Sequence, residues 1–117
     1  MPYVLLVMEE QGRREGRPAE TAQSECEQMN AFAGSLKARG VCLASQSLRS
    51  LTDGTRIEVR GGKRSVVDGP YAEAKELIGG FFLLDVATRE QAVAIAAECP
   101  AAAWASIEVR EAGPCAG

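Results

Sequence analysis

The sequence predicts a single α+β domain in which two helices cover one face of an antiparallel sheet. Strand-like apolar runs and two amphipathic segments follow one another in the order strand, helix, strand, hairpin, strand, helix, strand. The commonest arrangement for that order is the split βαβ, or ferredoxin-like, fold. No repeat, low-complexity segment or linker divides the chain, so residues 1–117 are expected to form one domain.

The first part of the chain predicts a strand and a long helix. Residues 3–8 form a nearly continuous apolar run, as in a central strand that is covered on both faces. Residues 9–17 are polar and contain two glycines, which predicts a loop. Pro18 suits the first position of a helix. A stripe of apolar residues at helical spacing then follows, and it consists of Ala22, Cys26, Met29, Ala33 and Leu36, with Phe32 beside it.

A strand over residues 41–48 leads to a predicted β-hairpin over residues 55–67. Gly61 and Gly62 can supply the two positive φ angles of a primed hairpin turn. A two-residue loop at this point would place Ile57 opposite Val66. The charged residues of the hairpin are then expected to face solvent.

The last part of the chain predicts a strand, a helix and a final strand. Residues 81–86 are the first strand of this part. Thr88 and Gln91 have the spacing of a capping box, which predicts the start of the helix, and Pro100 ends it. Residues 104–110 alternate between apolar and polar side chains, as a half-buried strand does.

Composition and charge exclude several classes of function. A formal net charge of −3 argues against nucleic-acid binding. No apolar run approaches the roughly 20 residues of a membrane span, and the N-terminus lacks the basic region of a signal peptide. A cytoplasmic protein with no bound cofactor is therefore expected.

The chain has four scattered cysteines and no histidine, so it offers no zinc motif. Two disulfides are possible, but free thiols that pack as small hydrophobic groups are the expected state. Without histidine, a general acid or base must be a carboxylate, lysine, tyrosine or cysteine. Metal ligation is not expected.

Residues 68–82 concentrate ionisable groups between two predicted strands. Asp68 is the candidate acid or base, since burial at the mouth of an apolar cleft would raise its pKa. Tyr71 could donate a hydrogen bond to an oxyanion, and Lys75 could hold a carboxylate or phenolate. Glu73 and Glu76 lie beside them as further candidates for substrate binding.

A structural interpretation of the same residues is also open. Asp68 could cap the turn with its own side chain, residues 73–76 could form one solvated helical turn, and the glycines at 79 and 80 could permit a tight bend. Tyr3 and Arg110 could line the cleft. Trp104 could do so too, although a place in the core is the other interpretation.

A homodimer is expected from the apolar character of both sheet faces. Two helices cover only one face of the sheet, while Leu5 and Leu6 point to opposite faces, as do Phe81 and Phe82. An exposed apolar sheet face is too large a patch for a monomer. A second copy is therefore expected to cover the bare face.

The segment DGPYAEAKE at residues 68–76, followed by GGFFLLDV at residues 79–86, resembles the signature of the YCII-related, DGPF-domain family. That signature typically runs Asp-Gly-Pro-Phe-Ala-Glu-x-Lys-Glu and then Gly-Gly-Phe. The similarity continues in residues 98–100 and 106–110 and in the opening strand, so that it covers essentially the whole chain.

The resemblance implies a ferredoxin-like, dimeric α+β barrel. It also implies relatives that include proposed small-molecule enzymes, among them a chlorinated-hydroquinone dehydrochlorinase, and members associated with extracytoplasmic-function sigma factors. Tyr71 stands where the family usually has Phe, and Ala105 stands where Gly is common. The His–Asp pair of the better-studied branch cannot be transferred to a chain without histidine, so Asp68 alone carries over as the acidic residue.

Two hypotheses of function follow. In the first, the protein is a cofactor-free lyase or isomerase that acts on an unknown small molecule with Asp68 as acid or base. In the second, it is a non-catalytic dimeric module that binds a ligand or a partner such as a sigma factor.

Overall fold

The computed structural model describes residues 2–117, which contain six strands and three α-helices. The strands are β1 (Tyr3–Glu10), β2 (Cys42–Ser47), β3 (Thr55–Arg60), β4 (Lys63–Asp68), β5 (Glu76–Leu84) and β6 (Ser106–Glu111). The helices are α1 (Arg13–Gly16), α2 (Ala19–Ala38) and α3 (Arg89–Glu98).

Four strands form an antiparallel sheet in the order β2–β5–β1–β6. Each long helix connects two strands that are separated in the sheet by one other strand: α2 joins β1 to β2, and α3 joins β5 to β6. This is the ferredoxin-like, split βαβ arrangement, so the predicted fold class is confirmed.

The core lies between the sheet and the two long helices. Tyr3, Leu5 and Val7 alternate along β1 and are all buried. The same layer contains Phe32 and Leu36 of α2, Phe82 and Leu84 of β5, and Ala92, Ile95, Ala96 and Cys99 from α3 and its end. Alternation with a period of two on a strand places every second side chain on the same face, which explains this one-sided burial.

The predicted stripe of α2 is packed along only part of the helix. Phe32 and Leu36 are buried, and the Phe32 ring meets that of Phe82 edge to face at 5.2 Å between centroids. Towards the N-terminus, Met29 is half-buried and Cys26 is exposed. The first half of α2 therefore leaves a cavity between itself and the sheet.

The hairpin and the helix cap agree with the sequence predictions. Ile57 pairs with Val66 across β3 and β4, and Gly61 and Gly62 have φ angles of 56° and 77°. The two strands form a separate sheet in which every residue is exposed. At α3, Thr88 and Gln91 form both bonds of the capping box.

Two predictions about polar segments were wrong. Residues 9–17 are not a loop, because β1 continues to Glu10 and α1 follows it. β5 begins at Glu76 rather than at residue 81, so residues 73–76 form no helical turn. Glu9 and Glu10 pair with Leu77 and Glu76, which lengthens both strands beyond their apolar portions.

All four cysteines are free thiols, as expected. Cys99 is buried, and burial raises the pKa of its thiol. No helix within residues 2–117 combines the length and apolar character that crossing a membrane requires.

Candidate ligand-binding site

A cavity of about 440 Å³ opens between the first half of α2 and the sheet. Val7 and Phe82 contribute its apolar floor, and Trp104 lies at its side. Besides Glu25 and Asn30, the helix wall contains Ala22, Cys26, Met29 and Ala33, and these four are the first members of the stripe predicted from the sequence. Three of these side chains are small, so α2 and the sheet leave space between them where a larger residue would fill it.

One end of the cavity is formed by a buried ion pair. Glu9 is only 6% exposed, and Arg14 donates from Nε to its Oε2 at 2.8 Å. The same guanidinium donates to the backbone carbonyls of Leu48 at 2.6 Å and Gly79 at 3.1 Å. A carboxylate this far from water requires such partners, because an unpaired buried charge is very costly.

Gly79 makes room for the Glu9 carboxylate. A Cβ atom at position 79 would lie 2.6 Å from Cδ of Glu9 and under 3 Å from both carboxylate oxygens. The register between β1 and β5 also shifts between Val7 and Met8, so Gly79 is the extra residue of a β-bulge. The glycine pair therefore lies inside β5 and does not form the bend that the sequence suggested.

A second carboxylate, that of Glu25, holds two arginines. Arg13 binds it through both terminal nitrogens, at 2.8 and 2.5 Å, and Arg17 donates from Nη1 at 2.7 Å. The hydrogen bonds from Arg13, followed by that from Arg17, hold the pKa of Glu25 below its ordinary value, although burial opposes them. Arg13 also lies over the Trp104 ring, 5.6 Å from its centroid.

The charged side chains that line the cavity balance in formal charge. Arg14 and Arg17 line it together with Glu9 and Glu25, while Arg13 binds Glu25 from outside the lining. Both carboxylates are occupied by arginines, whereas Nε of Arg17 is buried without a hydrogen-bond partner among the described residues. The cavity can therefore offer a ligand both apolar walls and polar groups.

The sequence-predicted acid, Asp68, lies elsewhere, at the exposed end of β4. Its Oδ1 accepts a hydrogen bond from Oγ1 of Thr55 at 3.0 Å, across the first pair of the hairpin. Gly69, which follows it, donates its backbone N–H to the carbonyl of Gly54 at 2.8 Å. In the single chain, Asp68 therefore links the ends of β3 and β4 through its side chain and is exposed to solvent.

Residues 70–73, which follow Asp68, line part of a second cavity of about 260 Å³. Tyr71 is buried, and the guanidinium of Arg56 lies 3.8 Å from the centroid of its ring. Arg56 also pairs with Glu73, whose pKa is lowered first by a backbone hydrogen bond and then by Arg56. These three residues line the cavity together.

The other sequence-predicted binding residues are dispersed. Lys75 and Glu76 are exposed, and the carbonyl of Lys75 accepts from the backbone of Gln11. Tyr3 is part of the core under the helices, whereas Arg110 is exposed on β6. One chain does not bring these residues together with Asp68.

The sequence reasoning missed the arginines and the two buried glutamates. Glu25 did carry a signal, because it precedes Met29 by four residues and Phe32 by seven and so lies on the apolar stripe of α2. An acidic residue on a buried stripe requires a cationic partner, and residues 13–17 hold three arginines. Trp104, considered for either the cleft or the core, packs against the core cluster and also lines the large cavity.

The match to a protein family covers almost the whole chain. The model of the YCII-related domain matches residues 1–114. The chain belongs to this family. The resemblance inferred from residues 68–86 is thereby confirmed. A search among curated proteins returned no match.

Within residues 2–117, no three Cys, Asp or Glu side chains come together as a potential metal site. The contacts available to a ligand in the large cavity are thus apolar side chains, guanidinium groups and amide or hydroxyl groups, including those of Asn30 and Ser45.

Proposed function

We propose that this YCII-related protein binds a small organic molecule in the cavity between α2 and the sheet. The observation that carries the proposal is a cavity of about 440 Å³ that combines apolar walls with amide and hydroxyl groups and has buried charges at one end. Ligand sites in proteins typically span roughly 300–1,000 Å³ and combine apolar walls with a few placed polar groups. A binding role is favoured over acid–base catalysis here because Glu9 and Glu25 already accept bonds from arginines.

The proposal can be tested by filling the apolar end of the cavity. Ala33→Leu adds bulk on the cavity side of α2, whereas Ala31→Leu adds the same bulk at an exposed position of the same helix. A thermal-shift screen of small organic acids, amides, phenols and lactones is run on the wild type and both variants. A ligand at 100 times its dissociation constant adds about 2.7 kcal/mol of stability.

We expect hits that persist in Ala31→Leu and weaken in Ala33→Leu. Hits of equal size in both variants would place the ligand outside this cavity. A screen without hits in the wild type would contradict the proposal as well.

A homodimer that covers the free sheet face is part of the proposal. We call this surface the open face; it carries the cross-strand apolar pairs Val4–Leu83, Leu6–Phe81 and Met8–Ile78 along the two central strands. On β6, Arg110 and Glu108 lie beside Val4 and Leu6 and form a charged margin. An apolar centre with a polar rim is typical of the buried part of a protein interface.

Leu6→Glu tests the dimer, and Val93→Glu on the exposed side of α3 is the matched control. By light scattering after size exclusion, we expect the wild type and Val93→Glu at twice the chain mass of 12.4 kDa. Leu6→Glu is expected to shift to the monomer, because a buried unpaired carboxylate opposes association. A dimeric Leu6→Glu would exclude the open face as the interface.

A catalytic role for Asp68 is a second proposal, supported by the neighbouring cavity around Tyr71 and Glu73. A second subunit would have to shield the exposed carboxylate for it to act as acid or base. Asp68→Asn should then retain the fold but lose turnover of a screen hit that Ala33→Leu does not weaken, because such a ligand lies outside the large cavity. Unchanged turnover in Asp68→Asn would exclude this role.

A further inference from the structure

The hairpin of β3 and β4 presents an apolar surface to solvent. Ile57 pairs with Val66, and the next pair on the same face joins Val59 to Arg64. These four side chains form what we call the outer face of the hairpin. Its three apolar members are 63%, 59% and 52% exposed for Ile57, Val59 and Val66. Within residues 2–117, β3 and β4 pair only with each other.

A hairpin in this position needs further contacts. A two-stranded hairpin on its own is marginally stable in water, and an exposed apolar strand surface is a site of association. The opposite side of the hairpin is partly covered, because Arg56 and Val67 line the second cavity together with Tyr71. The outer face is therefore the side that remains for a partner.

The charge of the hairpin is opposite to that of the rest of the chain. Residues 55–68 contain four cationic and two acidic side chains, which is an excess of two positive charges in a chain of net charge −3. The other residues together are therefore strongly acidic. Next to the hairpin turn, Lys63 and Arg64 form no ion pair within the described part of the chain.

The open face is acidic at one end. Glu10 and Glu76 lie directly opposite each other where β1 ends and β5 begins, and both are exposed. Like charges at opposed positions destabilise a sheet, and neither carboxylate has an ion-pair partner among residues 2–117. The strands of the open face thus carry three carboxylates and one guanidinium, those of Glu10, Glu76, Glu108 and Arg110.

A second copy of the chain matches both surfaces. Two open faces packed directly on each other would bring acidic groups together without enough cations to balance them. The outer face of the hairpin supplies apolar side chains, and the hairpin as a whole has the same excess of positive charge as the open face has of negative charge. In a two-fold dimer each copy can offer its hairpin and receive that of its partner.

We propose that the outer face of the hairpin packs against the open face of the partner subunit, at the end formed by Glu10 and Glu76 of the partner subunit. Lys63 and Arg64 then lie beside those carboxylates. This inference rests on the homodimer of the proposed function, and it adds the contact that holds the two copies together. Asp68 lies two residues beyond Val66 on the same side of β4, so the contact also brings the partner subunit against the Asp68 carboxylate.

The first test is the dimer dissociation constant by sedimentation velocity for the wild type, Val66→Glu and Val67→Glu. The two variants carry the same change at neighbouring positions of β4 that are 52% and 49% exposed, but only Val66 is on the outer face. Circular dichroism verifies that both fold.

We expect Val66→Glu to weaken the dimer by roughly 100-fold or more, because the contact would bury an unpaired carboxylate near acidic groups. Val67→Glu should change the constant by less than about 3-fold, as a surface substitution does. A Val66→Glu dimer as tight as that of the wild type would overturn the inference.

The second test exchanges the charges. One variant carries Lys63→Glu and Arg64→Glu, and the other carries Glu10→Lys and Glu76→Lys, which keeps a like-charged pair between β1 and β5. Each variant alone should dimerise at least about 10-fold more weakly than the wild type at low ionic strength. An equimolar mixture should form a heterodimer, because both of its hairpins then meet an open face of opposite charge.

Native mass spectrometry with one variant labelled with ¹⁵N identifies the heterodimer. A mixture in which the two variants associate no better than each does alone would contradict the pairing of the hairpin with the acidic end.

Leu6→Glu separates this contact from the dimer itself. If Leu6→Glu is monomeric while Val66→Glu dimerises like the wild type, the open face is the interface and the hairpin inference alone fails. A wild type that stays monomeric in the same experiment would overturn both the dimer and the hairpin contact.

Discussion

Replacement of Gly79 by alanine is expected to destabilise the protein, although the change adds only one methyl group. The new Cβ would lie 2.6 Å from Cδ of Glu9, whereas carbon atoms pack at about 3.5–4.0 Å. The carboxyl group would have to retreat by roughly 1 Å to restore that separation. Arg14 holds it at 2.8 Å, so such a movement breaks a charged hydrogen bond in a buried site.

The cost combines overpacking with a weakened ion pair. Overpacking of a core by a methyl group typically costs about 1–3 kcal/mol, and a hydrogen bond to a charged group contributes about 1.5–3 kcal/mol. Because partial relaxation relieves some of each, we expect Gly79→Ala to lower the free energy of unfolding by about 2–4 kcal/mol.

Gly34→Ala is the matched control. Gly34 lies inside α2, and a Cβ at that position would meet nothing within 4 Å. Since alanine favours a helix over glycine, this variant should be about 0.5–1 kcal/mol more stable than the wild type. The two identical chemical changes should therefore have opposite signs.

Urea unfolding at one fixed protein concentration measures both variants, with linear extrapolation to zero denaturant. A double-mutant cycle with Glu9→Ala then isolates the contact. With the carboxyl group removed, Gly79→Ala should cost at least about 1 kcal/mol less than in the wild type. A Gly79→Ala protein as stable as the wild type would refute the placement of Glu9 over this glycine.

Three further variants probe Glu25, Asp68 and Thr88. The pKa of Glu25 is lowered on folding, so its contribution to stability is complete above the ordinary value of 4.5 and disappears as the pH falls through the folded-state pKa. Glu25→Gln should therefore be less stable than the wild type at pH 7, and its free energy of unfolding in urea should fall less steeply as the pH is lowered. Parallel pH profiles of stability for the two proteins would contradict this. Asp68→Asn should cost under about 1 kcal/mol in urea, because the residue is exposed and makes one side-chain bond to Thr55; a loss of several kcal/mol would indicate a larger structural role. Thr88→Ala should cost about 1 kcal/mol through loss of the capping box, and an unchanged melting temperature would show that the cap contributes nothing.

The fold was predictable because local sequence patterns and the final packing agree. The continuous apolar run of β1, the turn glycines of the hairpin and the capping residues of α3 each act within a few residues. Patterns of this range specify one element at a time, and the order of the elements then restricts the topology.

The charged end of the cavity depends on contacts between distant parts of the chain. Arg14 meets Gly79 and Leu48, and Arg13 meets Glu25, at separations that no local period encodes. A polar segment such as residues 9–17 is normally solvated, which is why it predicted a loop. Gly79 and Arg14 surround the Glu9 carboxylate only once β1 has paired with β5, and the sequence alone does not reveal that pairing.

Asp68 illustrates the opposite problem. The charged motif at residues 68–76 predicted a functional role for this carboxylate, yet in the single chain the carboxylate accepts a hydrogen bond from Thr55 and faces solvent. The cavity that the chain builds lies instead beneath α2. Its walls come from a helical stripe that, in the sequence alone, is indistinguishable from a packed core.

Amide chemical-shift mapping of a bound ligand is the most direct measurement of where this protein binds small molecules. A hit from the thermal-shift screen is titrated into ¹⁵N-labelled protein and followed by two-dimensional NMR. We expect the largest shifts along the first half of α2 and in β5 near Gly79, Gly80 and Phe82. Shifts confined to residues 68–73, with the α2 amides unchanged, would contradict the assignment of the cavity and favour a site at the Asp68 turn.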